Sequence, residues 1–240
     1  MLDSECSFLT FRIQFKPTLH LKLNETEISH LKSLRIFSEN KSIEIRDGFG
    51  KSFIYNCEAQ SKDLKLIPGS EKNLIIENRL VVAGAIPKGN RLDWLLQKGT
   101  EIGVTEFWFC NFPRSSRLEF SQDRAVRIVI EAGIQSKRST LPIFKIFSSP
   151  AEMVQKNPQE TFFYLDPKSK NPLISSQIHK AIPIIGPEGG LGEVELELKT
   201  KGVVGYSLGA NILRMETAFV YLSSVLAQEE LEKNFKPISI

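Results

Sequence analysis

Few features of this chain place it quickly, and what is missing narrows the choice. Three cysteines, Cys6, Cys57 and Cys110, make an odd number with no close pair. A disulfide framework or a zinc site is therefore not expected, and a reducing cytoplasm fits. No apolar run approaches the ~20 residues that a membrane span needs. The stretch Met1–Glu5 is acidic and lacks the basic start of a signal peptide. Charge of one sign is missing as well: 31 Lys and Arg stand against 28 Asp and Glu, a net +3. That is too mild a bias to identify a nucleic-acid binder. There are no internal repeats and no low-complexity tracts. Hydrophobic residues at 41% and charged residues at 25% are ordinary for a soluble globular protein.

What is present is glycine in two telling places. The apolar run Ile182–Ile185 stops at Gly186-Pro187-Glu188-Gly189-Gly190-Leu191-Gly192. Further on, Ser207-Leu208-Gly209-Ala210-Asn211-Ile212-Leu213-Arg214-Met215-Glu216-Thr217-Ala218 runs from a turn into a helical pattern. Glycine has no side chain to block a ligand and reaches backbone angles that other residues avoid. Two such strand ends suggest a pocket built from loops at one edge of a sheet. Gly186–Gly192 is neither a Walker loop nor a G-x-G-x-x-G fingerprint. A tight strand-to-helix turn with no ligand would use the same residues. Glu188, a carboxylate between glycines at a strand end, is well placed to contact a ligand. Arg214 and Glu216 are expected near the same edge, although surface pairing is a common fate for such residues.

The chain reads as two parts. In the first, Phe11–Phe15 and Ser42–Arg46 alternate as strands, Asp47-Gly48-Phe49-Gly50 marks a hairpin, Ser52–Cys57 returns, and 27–37 is a short helix. These elements suggest a small barrel-like module. Turn residues at Ile67–Ser70 mark a joint, giving expected domains 1–70 and 71–240. Beyond the joint, strands and helices alternate. Strands are expected at 80–86, 106–112, 143–147, 161–165, 182–185 and 203–207, and helices at 91–103, 121–136, 193–201 and 212–233. This is the α/β pattern of a mostly parallel sheet covered by helices. Lys98 and Glu101 share a helix face. Arg124, Arg127, Glu131, Gln135 and Arg138 recur every three or four residues as one polar stripe. Such a stripe is either a solvated face or a ridge for a phosphate backbone.

Taken in order, these motifs resemble the SPOUT methyltransferases, and more narrowly the RsmE family, which methylates N3 of a uridine in small-subunit ribosomal RNA. Gly186-Pro187-Glu188-Gly189-Gly190 and Leu208-Gly209-x-x-Ile212-Leu213-Arg214-x-Glu216-Thr217-Ala218 carry the resemblance. Lys98-Gly99-Thr100-Glu101-Ile102-Gly103-Val104, Arg114-Ser115 and Glu131-Ala132-x-x-Gln135-Ser136-x-Arg138 support it. In the first part His30-Leu31, Leu34-Arg35 and Asp47-Gly48 resemble the family's PUA-like RNA-binding module, with one residue fewer between His30 and Leu34. Other departures are Pro113 in place of Glu, Gly192 in place of a capping Ser or Thr, and Asn211 in place of Arg.

The resemblance implies a SPOUT domain with a deep trefoil knot behind a small PUA-like β-barrel domain. It implies homodimers, S-adenosylmethionine as cofactor, no metal and no membrane. The cofactor would lie among three loops. Its contacts would be Leu165 and Asp166 from the first, Gly186, Pro187, Glu188, Gly189 and Gly190 from the second, and Ser207, Leu208, Gly209, Ile212, Leu213 and Arg214 from the third. The implied substrate is 16S ribosomal RNA, in the assembled small subunit, held by Arg35, Lys98, Arg114, Arg117, Arg124, Gln135 and Arg138. Uridine N3 is a good nucleophile only once its proton is lost, and a positive side chain near O2 or O4 stabilises the anion. Arg214 is the expected residue for that role. Glu188 either accepts the proton or holds the cofactor. The competing readings are a SPOUT enzyme acting on another RNA nucleotide and a non-catalytic RNA-binding assembly protein.

Overall fold

A computed structural model describes residues 8–113, 115, 120–173 and 180–234. The chain divides into two compact units, one of residues 1–77 with 133–141 and one of 78–132 with 142–240. No helix among the described residues is long and apolar enough to cross a membrane.

The first unit holds β1 (Phe8–Phe11), β2 (His20–Lys22), α1 (Glu25–Ser33), β3 (Lys41–Arg46), β4 (Lys51–Cys57), β5 (Asp63–Leu66) and β6 (Lys72–Asn73). The strands form one sheet in the order β1-β3-β4-β5-β2, with β6 against β4. In β3 the side chains alternate, and Ile43 and Ile45 are fully buried among Phe8, Leu31, Phe53 and Tyr55. The Asp47 turn joins β3 to antiparallel β4, and the Asp47 carboxylate accepts the Phe49 and Lys51 amides at 2.7 and 2.9 Å. Helix α1 starts on a capping box: Asn24 Oδ1 takes the Glu27 amide and Glu27 Oε2 takes the Asn24 amide. Arg12 then grips the buried Glu27 through Nε and Nη2 at 2.9 and 2.7 Å.

This unit runs past the Ile67–Ser70 turn to Glu77 and takes in Gly133–Leu141 from far along the chain. Local turn chemistry does not encode such a return. The Glu77 carboxylate receives the amides of Ser139 and Thr140 at 2.6 and 3.2 Å, and Arg46 Nη1 donates to the carbonyls of Lys137 and Arg138. The first strand also differs from expectation. It spans Phe8–Phe11, and the alternation read at Phe11–Phe15 falls on turn residues, with Gln14 at a φ of 55°.

The second unit is a six-stranded, all-parallel sheet in the order β12-β10-β11-β7-β8-β9. Its strands are β7 (Val81–Gly84), β8 (Glu106–Cys110), β9 (Ile143–Phe147), β10 (Phe162–Leu165), β11 (Ile182–Ile185) and β12 (Val204–Tyr206). The helices are α2 (Asn90–Ile102), α3 (Gln122–Gln135), α4 (Pro150–Lys156), α5 (Glu193–Thr200) and α6 (Met215–Asn234). The α/β class and every strand expected beyond the joint are present, with strand ends shifted by up to two residues. Among the described residues of this unit, the element not expected from the sequence is the short α4, capped by Ser149, whose hydroxyl accepts the Glu152 amide. Central strands β7, β8 and β11 are buried at every position, as expected for a sheet covered on both faces.

Helix α2 buries Leu92, Leu95 and Leu96 and ends at Gly103, whose φ of 115° closes the last turn. Gly99 lets the layers meet. A Cβ there would lie 2.8 Å from the Phe107 ring and 3.0 Å from Phe219, two rings stacked 5.8 Å apart.

Candidate functional site

Because β12, β10 and β11 are consecutive parallel strands, with β11 next to β7, their C-terminal ends, and the loops that follow, open at one edge of the sheet. The three expected cofactor loops therefore start from one place. After β10, the Asp166 amide donates to the Tyr206 carbonyl at 2.9 Å, and Asp166 Oδ1 accepts the Lys168 amide at 2.8 Å. The loop then runs beside the end of β12: the Ser207 amide donates to Asn171 and its carbonyl accepts from Leu173, both at 2.9 Å. Ser169 Oγ donates to the Gly205 carbonyl at 2.8 Å. Leu165 is half-buried against the core.

After β11, the Gly190 amide donates to the Pro187 carbonyl at 2.9 Å and closes a turn around exposed Glu188 and Gly189. Gly186 packs so closely on Leu191 that a Cβ would lie 2.8 Å from its Cδ2. Gly190, at a φ of 75°, has open space where its Cβ would point. Gly192 enters α5 with φ 59° and ψ −132° and no side-chain cap, as expected where glycine replaces Ser or Thr. After β12, Gly209 has a φ of 136° and again faces open space. The Ser207 hydroxyl lies 3.1 Å from the Gly209 carbonyl. Leu208 and Leu213 pack on the core, whereas Ile212 is 82% exposed.

Arg214 stands just before α6, not inside its first turn, and its carbonyl receives the Ala218 amide. Its side chain is exposed and makes no hydrogen bond or ion pair among the described residues. Glu188 is not free: its carboxylate is bound by Arg91 Nη1. The same nitrogen lies 4.0 Å from Glu216 Oε2. Sequence reading missed Arg91. The signal was available, because a cation in the first turn of a helix opposes the helix dipole and needs a carboxylate nearby.

The expected RNA contacts are not brought together in the same way. Arg35 and Gln135 are exposed in the first unit, Arg35 in the left-handed region at a φ of 61°. Lys98 Nζ bonds both oxygens of Glu101 at 3.0 and 2.8 Å, so the shared face expected of them is a bound pair. Arg124 pairs with Asp93 across α3 and α2. Arg114 and Arg117 lie outside the described residues. The polar stripe does not continue through Arg138. Helix α3 ends at Gln135, Lys137 turns the chain at a φ of 55°, and Arg138 is 5% exposed, 3.1 Å from Glu77. Burial lowers the pKa of that guanidinium against the pull of Glu77. Arg138 thus serves to tie the returning segment into the first unit.

Residues 76–227 match the family model described as an RNA methyltransferase domain. The chain is 30% identical to ribosomal RNA small subunit methyltransferase E of Bacillus subtilis over 92% of its length and 94% of the relative's. The chain belongs to this methyltransferase family. The Mesomycoplasma hyopneumoniae protein of the same name is 29% identical over 83% of the chain and 90% of that relative. Among solved structures, ribosomal RNA small subunit methyltransferase E of Neisseria gonorrhoeae, bound to S-adenosyl methionine, superposes with a TM-score of 0.75 at 26% identity. That match covers 93% of this chain and 97% of the other. A Porphyromonas gingivalis structure shares the fold, with a TM-score of 0.76 at 24% identity over 94% and 97% of the two chains.

Proposed function

We propose that this chain transfers a methyl group from S-adenosylmethionine to N3 of a uridine in small-subunit ribosomal RNA. The observation that carries the reading is the edge itself. Three parallel strands end side by side in loops with bare backbone at Gly190 and Gly209, and an exposed Arg214, unpaired among the described residues, follows the last of these loops. Family membership supplies the reaction class, and the relatives' names supply the substrate class.

The residues fit the cofactor. Gly186–Gly190 and Ser207–Leu213 offer backbone donors and acceptors beside apolar Leu165, Leu208 and Ile212, a lining suited to an adenosine with a charged tail. Bound there, S-adenosylmethionine supplies an electrophilic methyl carbon on a sulfonium. The protein has to hold the acceptor in line with that carbon, and such positioning contributes about 7–11 kcal/mol. Arg214, which has no partner among the described residues, stabilises negative charge on the uracil oxygens as N3 loses its proton. Glu188 either accepts that proton or fixes the cofactor. N3 lies on the Watson–Crick edge, so the target base must be unpaired or drawn from its stack. Arg35 and Gln135, exposed in the first unit, are the proposed contacts to flanking RNA, with Lys98 and Arg124 in the second.

The reading extends to a trefoil knot, a homodimer, an assembled small subunit as substrate and a cytoplasmic location. The test is to incubate the protein with small ribosomal subunits from cells lacking this gene and methyl-labelled S-adenosylmethionine, then identify the labelled nucleoside by mass. N3-methyluridine is expected. Another methylated nucleoside overturns the uridine assignment and keeps the methyltransferase.

A further inference from the structure

Arg91 joins three elements that the sequence keeps far apart. It is the second residue of α2, Glu188 lies in the loop after β11, and Glu216 is the second residue of α6. The sheet brings them together because β7, which leads into α2, pairs directly with β11. The fit at that point is close: a Cβ on Gly84 would lie 2.6 Å from the Ile185 carbonyl oxygen.

We propose that Arg91 is a positioning residue for the methyl transfer, controlling Glu188 from a seat it shares with Glu216. The proposal rests on the methyltransferase reading above. A guanidinium has five donors in a planar fork, so one arginine can serve two carboxylates. Here Arg91 Nη1 is bound to Glu188, while 4.0 Å separates it from Glu216 Oε2, too far for a hydrogen bond. Glu216 Oε2 is shielded from solvent and has no hydrogen-bond partner among the described residues. A shielded carboxylate oxygen without a donor is unfavourable, so Glu216 competes with Glu188 for the same cation.

Two pairings follow. With Glu188 unengaged, Arg91 holds its carboxylate in place beside the glycine loop. When Glu188 takes a proton from the acceptor base or meets the positive charge of the cofactor, its hold on Arg91 weakens and Arg91 closes on Glu216. Arg91 thereby couples the state of the glycine loop to the start of α6, two residues from Arg214.

A double-mutant cycle tests this. Label incorporation into small subunits gives kcat/KM for S-adenosylmethionine in wild type, Arg91→Ala, Glu188→Gln and the double variant, with thermal melting of each. Arg91→Ala should lower kcat/KM about tenfold, the scale of one charged hydrogen bond at a half-exposed site. Arg91→Lys should restore most of that loss. In the Glu188→Gln background, Arg91→Ala should cost less than about twofold, because its target is already gone. Equal losses in both backgrounds would mean that Arg91 acts through the fold alone and overturn the proposal. Wild-type rates in Arg91→Ala would do the same. If Arg91→Ala does not fold, Arg91→Gln takes its place in the cycle. Wild-type protein that binds no S-adenosylmethionine in calorimetry is a separate result, sinking the methyltransferase reading itself.

Discussion

The two edges of the parallel sheet in the second unit treat their charges differently. At the edge where the strands begin, Glu106 is the hub of a matched network. Its Oε1 accepts from Arg79 Nε at 2.6 Å, and its Oε2 accepts from Trp108 Nε1 at 2.8 Å and pairs with Lys145 at 2.9 Å. Arg79 also reaches Glu160 at 3.1 Å, and Lys145 lies 4.4 Å from the Trp108 ring centroid. At the edge where the strands end, Arg214 has no partner among the described residues, Glu216 has an unsatisfied oxygen, and Arg91 is divided between two carboxylates. The first edge holds the sheet together. The second leaves donors and charges available to a ligand. A cavity of about 620 Å³ lies at the matched edge, lined by Arg79, Glu160, Lys180 and Glu229. A larger one, about 680 Å³, lies in the first unit. Unsatisfied chemistry locates the candidate site better than volume does.

The sharpest break in this comparison is Arg214→Ala. Turnover should fall roughly a hundred- to a thousand-fold, as when a donor to a developing anion is removed. Stability should stay within about 0.5 kcal/mol, since the side chain is exposed and unpaired among the described residues. Steady-state kinetics with a parallel melting curve checks both halves, and unchanged turnover would remove Arg214 from the mechanism. Gly84→Val should act the other way round, on the fold first. The added side chain meets backbone at the β7–β11 contact and should cost about 2–3 kcal/mol in denaturant unfolding.

Glu106→Gln isolates the matched edge. It weakens two ion pairs on a largely buried side chain and should cost about 1–2 kcal/mol without altering turnover per folded molecule. Acid should have a related, smaller effect. Burial is the largest single influence on the Glu106 carboxyl and raises its pKa, but hydrogen bonds from Lys145, Arg79 and Trp108 together hold it below the ordinary value. The stabilisation is therefore complete above the unfolded pKa, about 4.3, and is lost as pH falls through the lower folded one. Melting temperatures from pH 7 to pH 3 should drop more steeply in wild type than in Glu106→Gln.

Much of the candidate site's backbone was legible in sequence because glycine, proline and strand periodicity act locally. The runs before Gly186 and Ser207 end where the strands end, and the missing cap at Gly192 is seen in the structure. The polar stripe was legible only in part. Its period is right through Gln135, but the chain turns at Lys137, and Arg138 is drawn inside by Glu77, a partner 61 positions away. No periodicity argument contains that partner.

By itself the sequence determined the class of the fold, the two glycine loops, and, through its ordered motifs, the family. These depend on residue types at short spacing, where backbone freedom and side-chain period decide the outcome. Only the tertiary structure decided that Gly133–Leu141 returns to the first unit, that Arg138 is buried, and that Arg91 sits between Glu188 and Glu216. Those outcomes depend on which distant charges meet once parallel strands pair, and strand order is a property of the folded chain, not of any local stretch of it.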